Sequence, residues 1–170
     1  MQPKIIAFSG AHGTGKTTSV YAMAEWLKRK GKNVGIILET ARDCPLPVLN
    51  KACNKSSEDS QVWIFSAQLK REIEAIHRYD IVVSDRTLVD CIAYTRYLGY
   101  QGLAYSMRLM ASDISSRYLK VFFKKISEND FLIDDGFRAT DPDERLIIES
   151  IMLSEYLSLK FEVDYQDLKK

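Results

Sequence analysis

The chain has 170 residues, enough for one domain (1–170) with a proper core. Hydrophobic residues make up 46% and charged residues 28%, with only 8 Gly and 4 Pro, which excludes a disordered or collagen-like chain. The 24 Lys and Arg against 23 Asp and Glu leave a net charge of +1, so no global field draws the chain to nucleic acid or to an anionic membrane.

Short apolar runs and longer helical patterns alternate along the chain. Residues 4–8 form the first run, too brief for a signal-peptide core and followed by glycine. Residues 16–30 have helical spacing and stop at Gly31, a natural left-handed cap. Residues 34–38 read as a second buried strand. Residues 58–79 place Val62, Phe65, Leu69, Ile73 and Ile76 three to four apart, the mark of an amphipathic helix. Strands are expected at 81–83 and 120–123, helices at 87–97 and 103–116. The last helix, 142–159, has a readable start: Asp141 as cap, Pro142 at the first position and Glu144 three residues after the cap. Residues 160–163 suit a fifth, edge strand. Such alternation implies an α/β fold with a parallel sheet of about five strands covered by helices on both faces. No apolar run nears the ~20 residues that span a bilayer. Cys44, Cys53 and Cys91 have no paired spacing, which makes a reducing cytoplasm the expected setting.

Directly after the first strand comes Gly10-Ala11-His12-Gly13-Thr14-Gly15-Lys16-Thr17, then Thr18. It matches G-x-x-x-x-G-K-[ST] at every fixed position, and a chance match in a chain of this length has odds of about 1%. The glycines let successive backbone N–H groups turn inward around phosphate oxygens, and the helix that follows aims its positive end at the same place. Lys16 is suited to the β- and γ-phosphates, and the Thr17 hydroxyl to Mg²⁺. Nucleoside triphosphate binding is the expectation, with ATP and Mg²⁺ as the ligands. His12 reads as loop filler or a nucleotide-edge contact.

In parallel sheets ligands bind beyond the carboxyl ends of the strands, so the acids and bases there matter. The second strand runs into Glu39-Thr40-Ala41-Arg42 and the third into Ser84-Asp85-Arg86, with Asp90 one helical turn on. An Asp after an apolar strand suits Mg²⁺ opposite the loop threonine. As the blander alternative, Glu39 and Asp85 cap the segments after them, and Arg42 and Arg86 are surface ion-pair partners. Asp134-Asp135-Gly136-Phe137-Arg138 opens a polar loop before the last helix, which bears Arg145; a lid spanning about 125–145 would bring Arg138 to the transferring phosphoryl group. Lys124-Lys125 reads as a solvated charge pair. Trp63, Phe65, Tyr94 and Tyr97 are candidates for a base pocket, though helical-face aromatics more often fill a core.

Together these motifs resemble the thymidylate kinase and deoxynucleoside kinase group of P-loop phosphotransferases and, within it, the small ATPase domains related to the ribosylnicotinamide kinase part of NadR-type proteins. The resemblance rests on residues 10–18, 39–42, 84–94 and 135–138. It implies a three-layer αβα sandwich with strand order 2-3-1-4-5. It also implies a carboxylate, here Glu39, that takes the proton of the attacking hydroxyl. Asp85 and Arg86 would serve Mg²⁺ and the acceptor, with Arg42 and Asp90 also on the acceptor side, and Arg138 and Arg145 would touch the ATP phosphates. Homodimers are common among such kinases, so that state is open to this chain.

The leading expectation is a Mg·ATP-dependent kinase for a small nucleoside- or nucleotide-like acceptor, with Glu39 or Asp85 as base. Two alternatives are a nucleotide-switched ATPase or binding module without such an acceptor, and a polynucleotide 5′-end kinase. The near-neutral charge and the lack of a basic stripe argue against the last.

Overall fold

The computed structural model describes residues 4–49, 56–126 and 141–165. Five strands, β1 (Ile5–Ser9), β2 (Val34–Ile37), β3 (Ile81–Asp85), β4 (Tyr118–Phe123) and β5 (Val163–Asp164), form one all-parallel sheet in the order β2-β3-β1-β4-β5. Five helices join them: α1 (Lys16–Arg29), α2 (Glu58–Arg78), α3 (Leu88–Tyr97), α4 (Gln101–Ile114) and α5 (Pro142–Ser158). This is the three-layer arrangement and strand order expected. Cys53, Arg138 and most of the expected lid lie outside the described residues.

β1 shows why both faces must be covered. Alternate side chains of a strand point to opposite faces, and all four of Ile5, Ile6, Ala7 and Phe8 are buried. Ile5 and Ala7 pack with Val121, Phe123, Ile148, Met152 and Tyr156. Ile6 and Phe8 pack on the other side with Val20, Ala24 and Leu27 of α1. A third cluster, centred on Phe65, Leu88, Ile92 and Met107, joins α2, α3 and α4.

Helix ends follow their capping chemistry. Gly31 has φ 76 and closes α1, as expected. The Asp141 carboxylate accepts from the Asp143 N–H and Pro142 opens α5. At the far end of α5 the sequence misleads. Lys160, not a glycine, takes φ 55, and the Phe161 N–H bonds back to the Tyr156 carbonyl. That turn consumes the first residues of the expected edge strand, so β5 begins only at Val163.

The buried face of α2 also differs from expectation. Val62 and Ile73 are 45% and 39% exposed, whereas Gln61, Gln68 and Glu72 are buried. The apolar spacing located the helix but not its rotation, because these polar side chains find partners inside, Gln61 in Ser56 and Thr95 and Gln68 in Glu72.

Register sets the site. Phe8 pairs with Asp85 and Ile37 with Ser84, so the ends of β1, β2 and β3 reach the same level, with Glu39 facing the residue after Asp85. Ser9 pairs with Phe123 on the other side, which brings Lys124 against Gly10.

Candidate active site

Residues 10–17 wrap rather than extend. Gly10, Gly13 and Gly15 have φ 135, 77 and 72, a region side chains disfavour. A Cβ on Gly10 would sit 2.3 Å from the Lys124 carbonyl oxygen, so glycine is required there for space as well. The Lys16 amine lies within the loop, donating to the Ala11 carbonyl at 2.6 Å and the Thr14 hydroxyl at 3.5 Å. Lys124 is not the solvated charge expected: its amine donates to the Gly15 carbonyl at 3.2 Å and to Ser19 at 2.9 Å. Arg145 is buried, and its Nε donates to the His12 carbonyl at 3.1 Å. Two distant segments therefore brace the loop. Thr18 is exposed on α1.

Asp85 leaves the sheet beside this loop. Its Oδ2 accepts from the Thr17 hydroxyl at 2.5 Å, while its Oδ1 is buried with no partner among the described residues. A hydroxyl and an unsatisfied carboxylate oxygen side by side are the donor set that Mg²⁺ takes in triphosphate sites, directly or through water. The residues fit the ion. Among the described residues no group of three or more His, Cys, Asp or Glu gathers, so the remaining ligands would come from phosphate and water.

Arg86 sits at φ 84, a left-handed backbone that costs a non-glycine residue about 1–3 kcal/mol. Its N–H bonds to the Phe8 carbonyl, and its own carbonyl accepts from the Ser84 hydroxyl at 2.8 Å. That turn folds the guanidinium inward, where it is buried. Nε donates to Glu39 at 2.9 Å, Nη1 lies 3.4 Å from both Asp90 and the Gly10 carbonyl, and Nη2 lies 3.5 Å from the Tyr94 hydroxyl. The Tyr94 ring covers the guanidinium at 5.1 Å. Burial works against the charge, yet Tyr94, Asp90 and Asp85 outweigh it and hold the pKa above its already high ordinary value.

Glu39 joins the two arginines, accepting from Arg86 on one oxygen and from Arg42 on the other, each at 2.9 Å. It makes no capping bond to the short 3₁₀ turn after it, Thr40–Asp43, and α3 is capped by Thr87 rather than by Asp85. The capping alternative therefore does not hold. Asp90 is fully buried. One oxygen accepts from Ser9 and lies near Arg86; the other accepts from the Thr87 N–H and hydroxyl and the Tyr156 hydroxyl. It braces the site through both oxygens and also lines the cleft beside Arg86.

Beside Arg86 opens a narrow cleft, lined in part by Thr40, Gln68 and Tyr94. Its wall is largely apolar, with Val48, Ile64, Cys91 and Leu98, and carries the polar groups of Thr40, Gln61 and Gln68.

A family model described as an AAA domain matches residues 5–165. The chain belongs to this AAA-domain family. Solved structures with the same fold include thymidylate kinase from Ehrlichia chaffeensis, with a TM-score of 0.68 and 17% identity over 96% of this chain and 92% of that one. Thymidylate kinase from Candida albicans gives a TM-score of 0.69 and 14% identity over 96% of this chain and 83% of that one. The NadR protein solved in complex with NR gives 0.73 and 20% over 99% of this chain but 47% of that one, so this chain spans about half its length. The likeness is one of fold.

In this AAA domain the sequence-predicted residues Lys16, Thr17, Asp85, Arg86, Glu39 and Arg42 meet at one mouth. Of the aromatic candidates, Tyr94 lines the cleft; Phe65 is core, and Trp63 and Tyr97 pack only at its margin. Gln61 and Gln68 were missed. Their signal was a polar side chain recurring every seven residues on a helix whose neighbours are apolar. No helix among the described residues is long and apolar enough to cross a membrane.

Proposed function

We propose that this AAA domain is a Mg·ATP-dependent phosphotransferase for a small nucleoside- or nucleotide-like acceptor held in the cleft beside Arg86. The observation that supports this most is the Glu39–Arg86 ion pair, which sets a carboxylate and a fixed cation between the phosphate loop and the cleft mouth. A hydrolase acting on ATP alone has no use for such a cleft.

In this reading the amides of residues 11–17 and the Lys16 amine bind the triphosphate tail, and Thr17 with Asp85 hold the metal. Mg²⁺, when bound, neutralises charge between the β- and γ-phosphates. Little covalent chemistry falls to the protein, which positions the groups in line and stabilises the charge that spreads. Glu39 is the better candidate to take the acceptor hydroxyl's proton, because Asp85 is assigned to the metal together with Thr17. Arg86, pinned on every nitrogen, supplies charge at a fixed point. Arg138 is assigned the lid role by its resemblance alone. The two neighbours of the same fold named thymidylate kinase support the reaction type.

The test is a panel of nucleosides and nucleoside monophosphates with labelled ATP. Transfer to one of them supports the reading; ATP consumption indifferent to all of them contradicts it.

A further inference from the structure

Glu72 is a carboxylate with no exposed surface, away from the phosphate loop and without a role in the chemistry above. Its Oε1 accepts from the Gln68 amide at 3.0 Å and from the Tyr118 hydroxyl at 2.7 Å, while Oε2 is buried with no partner among the described residues. Gln68 passes the connection on. Its nitrogen also donates to the Ser84 hydroxyl at 3.2 Å, and its oxygen accepts from the Thr40 hydroxyl at 2.6 Å. Ser84 in turn donates to the carbonyl of Arg86, the residue in the strained turn. On the other side the Tyr118 hydroxyl accepts from the N–H of Leu88, the first residue of α3. One buried carboxylate therefore reaches the cleft wall and the start of α3 through one intermediate each, and the Arg86 turn through two.

We propose that Glu72 is a positioning residue for the acceptor cleft, fixing through Gln68 both the Thr40 wall and the Arg86 turn. The inference rests on the reading of that cleft as the acceptor site. A terminal amide carries a donor and an acceptor end, and its neighbours decide which way it faces. With Glu72 ionised, both of its donors are held strongly, and the Gln68 oxygen is left to Thr40. With Glu72 protonated, that hold weakens and Gln68 is free to turn, loosening Thr40 and Ser84 together.

The charge state is accessible near neutrality. Burial lifts the Glu72 pKa from 4.5 to about 7, opposed by the Gln68 and Tyr118 hydrogen bonds and by Arg117, and assisted by Asp90. The groups facing it are thus Gln68 on its own helix, Tyr118 on β4, Arg117 before that strand, and Asp90 on α3; Cys91, also on α3, senses its charge.

The test is a pH titration of the whole chain, labelled for NMR, with Mg²⁺ and a non-hydrolysable ATP analogue bound. The Gln68 side-chain amide and the Arg86 Nε–H should shift with one common midpoint near neutrality. In Glu72→Gln that shared midpoint should vanish while affinity for the analogue is unchanged. Tyr118→Phe removes a donor to the ionised form and should move the midpoint upward, which keeps the test open if Glu72→Gln does not fold. Flat signals in the parent chain, or a midpoint that survives Glu72→Gln, overturn the proposal; a merely structural Glu72 would change the melting temperature without any shared midpoint. A second arm measures KM for thymidine and nicotinamide riboside, expected to rise as pH falls through that midpoint. Failure to phosphorylate any nucleoside would count against the acceptor reading, whereas the titration reports the wiring separately.

Discussion

The Thr17 hydroxyl donates to the Asp85 carboxylate at 2.5 Å, joining the first turn of α1 to the end of β3 across 68 positions of sequence. The contact follows from register: Phe8 pairs with Asp85, so the strand that feeds the phosphate loop ends level with the acid. In the proposed function the pair that would hold Mg²⁺ is thereby assembled from the first turn of α1 and the end of β3.

Thr17→Ala should leave the fold intact, because the side chain is largely exposed, but remove one of the two groups assigned to the metal. The expected outcome is a fall of about 10–100-fold in apparent Mg²⁺ affinity during ATP turnover. A magnesium titration of the rate checks this, and an unchanged midpoint would remove Thr17 from the metal site.

Gly10→Ala places a methyl group 2.3 Å from the Lys124 carbonyl, backbone that cannot turn aside. With the unfavourable φ added, the loss of stability should be at least about 1–3 kcal/mol. Thermal unfolding with and without Mg·ATP would show a lowered melting temperature and a reduced rise on adding nucleotide.

Glu39→Gln keeps the shape of the side chain but removes the charge shared by Arg42 and Arg86. Loss of a general base typically costs 10²–10⁴-fold in rate, so kcat should fall by about that range. ATP binding, followed with a fluorescent analogue, should persist. An undiminished kcat would move the base assignment to Asp85.

The elevated pKa of Glu72 also predicts a stability effect with a definite sign. Between its ordinary 4.5 and about 7 the folded chain holds a proton that the unfolded chain has released, so stability falls as pH rises through this window. Glu72→Gln abolishes that contribution. Relative to the parent, the variant should gain stability from pH 5 to pH 8 by up to about 3 kcal/mol, as measured by denaturant unfolding. A constant difference across that range would show that Glu72 does not titrate there.

What the sequence made legible was local. The phosphate loop is a run of eight consecutive residues whose spacing alone dictates its shape, and the strand order followed from the family those residues resemble. The surroundings were less legible, because they join distant segments. Arg86 meets Gly10, Glu39, Asp90 and Tyr94 only because its backbone takes φ 84, which nothing in Ser84-Asp85-Arg86 announces. Asp90 stands one turn past the strand, but its contacts to Ser9, Arg86, Thr87 and Tyr156 join three distant segments that no local spacing announces. Lys124 looked like solvated charge until the pairing of Ser9 with Phe123 aimed it at Gly15. The rotation of α2 was masked for another reason. Glu72 and Gln68 belong on the surface by composition, and their burial rests on hydrogen bonds to each other and to Tyr118, Thr40 and Ser84, residues far apart in sequence.

The central claim is phosphoryl transfer from ATP to a small acceptor in the cleft beside Arg86. Labelled γ-phosphate offered with nucleosides, nucleoside monophosphates and nicotinamide riboside in parallel tests it most directly. Label appearing on one of these compounds, and lost on Lys16→Ala, is the predicted result. Release of free phosphate at one rate whatever compound is added, with no labelled product, would contradict it.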